Sequence, residues 1–293
     1  MKIESNKIKK FLTNKTILII GGAGSIGSSL TKKLLNYPVK SIRVLDVNEH
    51  NLFLLRREIP DVRFRPLLGS ILDQNRLEMA INNVDIIINA AAVKNIEITE
   101  FNPMETIQVN TIGIMNIINI ITKIKPLMFL NISTDKATEP TTMYGTTKQL
   151  GERLTSWAGV HLLPTKFGTV RFGNVIETKG NIFEVWNEEK KQNKPLTITD
   201  PKMERYFFHI DEATDFILNI LPKTNRGEIF VPKMKITKIK EIADKISKNQ
   251  KIIGKRQGEK LKEILISDVE KEISSEKEDM WVITYYKQGQ LYP

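Results

Sequence analysis

Thr16-Ile17-Leu18-Ile19-Ile20-Gly21-Gly22-Ala23-Gly24-Ser25-Ile26-Gly27 decides the fold. Five β-branched or aliphatic residues run into a glycine turn, and helical apolar spacing follows at Ile26, Leu30 and Leu34, out to about Asn36. The order is strand, glycine turn, helix. Glycine lets the backbone approach a ligand closely, so the turn's N–H groups and the helix N-terminus can together hold a pyrophosphate. Gly21, Gly24, Ser25, Ile26 and Gly27 are the candidate contacts. Asp46 ends the next apolar run, about twenty residues on, where a carboxylate accepts hydrogen bonds from a ribose and repels a 2′-phosphate. The expected cofactor is therefore NAD(P), with NAD favoured by Asp46, and Asn48 lies beside the same ribose.

Outward from this unit the alternation repeats. Strands are expected at Ile42–Leu45, Val62–Arg65, Asp85–Asn89, Leu127–Ile132 and Thr165–Arg171. Helices are expected between them at Glu49–Glu58, Gln74–Asn82, Met104–Lys123 and Tyr144–Trp157. Repeated βα units imply an α/β, Rossmann-type doubly wound parallel sheet with helices on both faces. After Arg171 the rhythm breaks into a helix at Gly180–Gln192, a short strand at Pro195–Thr199, a helix at Asp211–Leu221 and a strand at Glu228–Val231. Further helices near Lys238–Lys248 and Glu259–Ile264 suggest a small C-terminal α/β substrate-binding lobe. The expected division is 1–175 for the nucleotide-binding domain, with 205–232 returning to it, and 176–204 plus 233–293 for the lobe. The acidic segment Asp268–Asp279 reads as a cap on that lobe, packed through Trp281, Tyr285 and Tyr286.

Composition excludes several classes. The 293 residues contain no cysteine, so disulfides, zinc–thiolate sites and thiol nucleophiles are ruled out. The net charge is +10, from 44 Lys and Arg against 34 Asp and Glu, densest between Lys233 and Lys262. The excess lies in Lys/Ile/Asn-rich sequence without interleaved aromatics, which reads as a solvated surface and not as a nucleic-acid groove. The lysine-rich start lacks a signal-peptide pattern, and the apolar run Ile112–Ile121 is short for a bilayer, so a cytoplasmic protein without membrane contact is expected. His50, His161 and His209 are isolated, and no metal is expected.

A second stretch carries chemistry. Ser133-Thr134-Asp135-Lys136 follows the apolar run Leu127–Ile132, and Tyr144-x-x-x-Lys148 comes soon after. One helical turn separates phenol from amine, so the ammonium can lower the phenol's pKa. The Gly-x-x-Gly-x-x-Gly spacing and the Tyr/Lys pair resemble the short-chain dehydrogenase/reductase superfamily. That resemblance places Ala90, Ala91 and Ala92 beside the cofactor's nicotinamide-side ribose, and adds Asn110, Tyr144 and Lys148 to the cofactor site. Where the superfamily's extended members carry Gly-Asp at the adenine, this chain has Gly69-Ser70, which leaves Ser70 or the Ile71 backbone for that contact.

Longer strings narrow the resemblance. Ala90-Ala91-Ala92-Val93-Lys94, Ser133 to Pro140, Arg171-Phe172-Gly173-Asn174-Val175, Pro195 to Phe207 and Gly258-Glu259-Lys260-Leu261 are similar to extended members acting on UDP-N-acetylglucosamine, above all the inverting 4,6-dehydratases. The resemblance spans roughly Phe11 to Ser267. It implies Tyr144 as the C4-hydroxyl base with Lys148 as its partner, Thr134 as a donor to the C4 oxygen, Asp135 as the acid at the C6 oxygen and Lys136 as the C5 base. It further implies Lys94, Ser133 and Asn174 at the sugar nucleotide, Arg205 and Arg256 at the diphosphate and Glu259 at the uridine ribose. Arginine suits a diphosphate through its planar fork. The family's Arg-Pro-Gly-Glu-Lys-x-His-Glu stands here as Arg256-Gln257-Gly258-Glu259-Lys260-Leu261-Lys262-Glu263. The expected partner is a UDP-sugar and the expected assembly a homo-oligomer, dimer or hexamer. A UDP-sugar 4-epimerase or a retaining dehydratase is the same-family alternative, and a non-catalytic nucleotide- or RNA-binding protein the remote one.

Overall fold

The computed structural model describes residues 4–286. Helix α1 (Ser5–Leu12) precedes β1 (Thr16–Ile20), and α2 (Ser25–Leu34), β2 (Ser41–Asp46), α3 (Glu49–Glu58), β3 (Phe64–Leu68), α4 (Gln74–Ile81) and β4 (Ile86–Asn89) follow. Then come α5 (Ile96–Phe101), α6 (Pro103–Ile107), α7 (Gly113–Ile124), β5 (Met128–Thr134), α8 (Met143–His161) and β6 (Lys166–Phe172). The lobe begins with β7 (Asn174–Val175), α9 (Ile182–Lys191), β8 (Leu196–Ile198) and β9 (Glu204–Phe208). Helix α10 (Ile210–Ile220) and β10 (Arg226–Pro232) return to the main sheet; β11 (Ile236–Lys238), α11 (Ile239–Ile246) and β12 (Gln250–Ile252) lead out again. The described chain ends with α12 (Asp268–Glu272), β13 (Ser274–Glu276) and β14 (Met280–Ile283).

Nine strands form one sheet in the order β13-β14-β10-β6-β5-β4-β1-β2-β3. Strands β3 through β10 of that row are parallel, and only β14 and β13 run antiparallel at the far edge. Alternation along β1 explains the two helical layers. Ile17 and Ile19 pack with Leu30, Leu34 and Phe216, whereas Leu18 and Ile20 pack with Leu77, Ile117 and Ile121. The fold is the doubly wound one expected.

Four departures have local causes. The third strand lies at Phe64–Leu68, later than Val62–Arg65, because it is an edge strand whose outer side tolerates Pro66. The long helix after β4 is broken: a π-helical segment, Gln108–Ile112, separates α6 from α7. No helix forms over 259–264; Glu204 N donates to Leu261 O at 2.8 Å, so the segment is held extended against β9. The tail assigned wholly to the lobe sends its hairpin home, with Met280–Ile283 pairing to Ile229–Pro232 in the main sheet. What makes a lobe is a separate core of Trp186, Leu196, Ile198, Met203, Ile239 and Ala243, with two small sheets, β11-β9-β7 and β12-β8.

The helical run Pro103–Ile124, π-helical segment included, has 22 residues and holds a window of mean hydropathy 1.2, the length and composition of a membrane span. Half of that window is buried in the protein, where Ile114, Ile117 and Ile121 cover the sheet.

Candidate active site

The glycine turn is built by exclusion. Gly21 has φ +70°, and a Cβ there would lie 2.5 Å from Ala91 N; at Gly27 a Cβ would lie 2.4 Å from Gly22 Cα. The first glycine therefore lets the ends of β1 and β4 meet, and the last lets α2 sit on β1. Helix α2 starts at Gly24 without a side-chain cap, leaving its first amides for an anion. Asp46 braces the turn: its carboxylate accepts from Ala23 N and from Asn48 N, both at 2.9 Å. Asn48 caps α3 through Asn51 N. These residues fit a dinucleotide, with glycines where side chains cannot stand and a carboxylate at the second strand's end.

Four predicted cofactor contacts also have structural duties. Asn110, 1% exposed, accepts from Val93 N and donates to Val93 O and Thr147 Oγ1, which ties the Ala90–Ala92 segment to α8. Ser70 Oγ accepts from Leu72 N, and buried Ile71 packs on Gly113. Ser25 Oγ accepts from Lys179 N, while Lys94 Nζ donates to Lys179 O. The loop after β7 thus crosses between the glycine turn and Lys94.

At the carboxyl end of β5 the structure gathers Thr134, Asp135, Lys136, Tyr144 and Lys148. Thr134 Oγ1 donates to Asp135 Oδ1 at 3.0 Å, and Lys136 Nζ lies 3.0 Å from the same oxygen. Asp135 is fully buried, and its Oδ2 and the Ser133 Oγ have no protein partner among the described residues. A buried carboxylate oxygen and a buried hydroxyl without partners are groups that the hydroxyls of a bound ligand would satisfy. Burial pushes Lys136 down, but Asp135 and Glu263 outweigh it and hold the ammonium above the usual lysine value. Burial pushes the Tyr144 phenol up, against the pull of Lys136 and a hydrogen bond with Thr134. Lys148 donates to Ile132 O, and burial brings it down to about 8 despite Glu152. Lys136 is the cation that pulls the phenol down, and burial outweighs it.

The substrate-side residues are dispersed. Asn174 donates to Tyr206 O. Arg205 is 6% exposed and its guanidinium donates to Glu204 O and Leu261 O, so it anchors the C-terminal loop. Arg256 pairs with Glu97 at 2.6 Å, and Glu259 accepts from Arg256 N. That loop docks beside the site: Thr141 Oγ1 donates to Gly258 O and Lys260 Nζ to Thr138 O.

Two features escaped the sequence. Glu263 is 3% exposed, with Oε1 3.9 Å from Lys136 Nζ; its only signal was its place at the end of the Arg256–Glu263 string. The other is Arg171, fully buried and bidentate to both Glu152 and Glu270. The Ser267-x-x-Glu270 spacing, a capping box on α12, was the readable hint of the second carboxylate.

Residues 17–285 match the family model described as polysaccharide biosynthesis protein. The chain belongs to that family. It is of the extended short-chain dehydrogenase/reductase type. A Methanocaldococcus jannaschii protein named as an uncharacterized membrane protein is 40% identical, over 95% of this chain and 88% of its own length. The inverting UDP-N-acetylglucosamine 4,6-dehydratase of Campylobacter jejuni is 35% identical, over 92% and 83%. A UDP-glucose 4-epimerase of Rickettsia bellii is 32% identical, over 88% and 79%. The X-ray structure of Pen from Bacillus thuringiensis superposes with a TM-score of 0.89 at 32% identity, over 93% of this chain and 90% of that one. The family match runs from β1 through the closing β13–β14 hairpin.

Proposed function

We propose that this protein is a nucleotide-sugar 4,6-dehydratase that acts on UDP-N-acetylglucosamine with inversion at C5. The observation that carries the reading is the Asp135–Lys136 pair, 3.0 Å apart and beside Tyr144 and Thr134 at the end of β5. A 4-epimerase needs only hydride removal and return at C4. An elimination also needs a base at C5 and an acid at C6, and an adjacent lysine and aspartate supply both.

The residues would divide the work as follows. Tyr144 takes the C4 hydroxyl proton and Thr134 holds the C4 oxygen. The proton that Lys136 holds at rest passes first to Asp135; the free amine then takes the C5 proton as the C5–H electrons form the C5–C6 double bond, the C6–O bond breaks, and Asp135 protonates the departing oxygen to give water. C5 regains a solvent-exchangeable proton as C6 is reduced, and the proton that Tyr144 took from the C4 hydroxyl closes the count. A bound nicotinamide would supply the chemistry of hydride acceptance at C4 and return at C6. The Gly21–Gly27 turn, Asp46 and Lys148 would hold that group, and a carboxylate at the end of β2, which repels a 2′-phosphate, favours NAD over NADP. Lys94, Ser133, Asn174, Arg256 and Glu259 would line the UDP-sugar path, with Arg205 holding the loop that carries the last two. A cytoplasmic homo-oligomer completes the reading, supplying a deoxysugar nucleotide for surface polysaccharide.

The test is incubation of the purified protein with UDP-N-acetylglucosamine and no added nicotinamide. The expected product has lost the mass of one water and, in D2O, carries deuterium at C5. A product of unchanged mass means epimerisation, the activity named for the Rickettsia bellii relative.

A further inference from the structure

Lys136 is held from two sides. Its ammonium lies 3.0 Å from Asp135 Oδ1, contributed by its neighbour in the chain, and 3.9 Å from Glu263 Oε1, contributed by the C-terminal loop. That loop is fixed by bonds that do not involve Lys136: Glu204 N to Leu261 O, Thr141 Oγ1 to Gly258 O, and Lys260 Nζ to Thr138 O. Glu263 is therefore presented to the lysine by the backbone around it. Its other oxygen, Oε2, is buried without a hydrogen-bond partner, with Lys260 Nζ at 4.0 Å. A buried carboxylate with an unmatched oxygen costs stability, so its place beside a lysine that must act as a base calls for a reason.

The charged and titratable groups facing Lys136 are Asp135 on its own turn, Tyr144 on α8, Arg205 on β9, and Glu263 on the loop, with Lys260 behind Glu263. We propose that Glu263 is a positioning residue for Lys136, aiming its amine beside Asp135 and opposing loss of the single proton that the Asp135–Lys136 pair shares.

The inference rests on the dehydration reading for the lysine's role, and the proton count shows why that proton matters. At rest it sits on Lys136. It passes to Asp135, leaving a free amine and a carboxylic acid. The amine then takes the C5 proton as the C5–C6 double bond forms and the C6–O bond breaks, and Asp135 gives its proton to the leaving oxygen. Water departs, and the pair again holds one proton, on Lys136. Loss of that proton to solvent would leave no acid for C6. A second anion beside the lysine raises the pair's hold on it and extends activity to higher pH.

Glu263→Gln keeps the shape and removes the charge. The alkaline limb of its kcat profile is expected to fall by about one pH unit, with KM changed less than about twofold. Glu263→Asp, which keeps the charge, should leave the limb at its parental position. The independent reading is NMR titration of the Lys136 side chain in protein without sugar, its signal assigned with Lys136→Met, where Glu263→Gln should lower the lysine pKa. Melting curves check folding, and Glu263→Ser is read the same way where the glutamine variant does not fold. A glutamine variant with the parental limb and parental lysine titration overturns the proposal, as does an aspartate variant that shifts as far as glutamine. If the parent protein releases no water from the sugar, the dehydration reading fails by itself, and the lysine titration alone decides the role of Glu263.

Discussion

At the scale of single residues, Tyr144 and Lys148 were legible because one helical turn of spacing puts them on one face, and Asp135-Lys136 because the pair stands at a strand end. What spacing does not encode is which cation reaches the phenol. Lys148 donates to the carbonyl of Ile132, and Lys136 pulls the phenol down against its burial, an outcome of packing. The buried Lys148 yields a pH prediction. Its folded value, about 8, lies below the ordinary lysine value of 10.5, chiefly through burial. Below about 8 the lysine is charged in both states, and the folded state bears the full cost of the buried charge. Between the two values the unfolded chain binds more protons than the folded one, so stability rises with pH. The stability difference between the parent and Lys148→Met, from urea unfolding, should move in the parent's favour across that window by at most roughly 3 kcal/mol. A flat difference would mean that the amine is not desolvated.

At the scale of elements, strands and helices of the βα units were readable because each carries its own period. The failures came where a neighbour decides. Residues 259–264 have helical composition, yet β9 claims their backbone. The hairpin Ser274–Ile283 is too short and polar to announce a strand pair, yet β10 would otherwise be an open sheet edge. The glycine turn is the opposite case, in which local sequence and tertiary demand agree. Gly21→Ala forces a side chain into positive φ and sets its Cβ 2.5 Å from the backbone of Ala91. The expected loss is more than about 1 kcal/mol of stability, from strain together with the displaced β4 end. Because Ala90–Ala92 would shift with it, the purified variant should also carry less bound nucleotide, measured after denaturation by absorbance and chromatography. Parental melting with parental nucleotide content would contradict this account of the turn.

At the scale of the whole molecule, one buried arginine joins what the sequence keeps far apart. Arg171 on β6 lies 2.9 and 2.6 Å from the Glu152 carboxylate on α8 and 2.8 and 2.7 Å from that of Glu270 on α12, and also donates to Thr138 Oγ1 and Leu265 O. Tyr285 closes the set, donating to Glu270 at 2.6 Å, with the Arg153 guanidinium 3.8 Å over its ring. The clamp was invisible in sequence because its partners are brought together only when the last strands return to the main sheet. It fastens that returning segment behind the loop bearing Glu263, so it links global stability to the site. Burial pushes Glu270 up, but Arg171 outweighs it and holds the carboxyl below its usual value; burial, with the hydrogen bond to Glu270 added, pushes Tyr285 up to about 12. Removing one member of a buried ion set strands the others, whereas replacing the set with apolar residues need not. Glu270→Ala should therefore cost about 3 to 5 kcal/mol in urea unfolding. Tyr285→Phe, which removes one hydrogen bond to a charged group, should cost about 1.5 to 3 kcal/mol. The two losses in the double variant should sum to more than the measured total, because with Glu270 gone the Tyr285 hydroxyl has lost its partner already. Strict additivity would show that the Tyr285–Glu270 hydrogen bond contributes nothing to holding the tail.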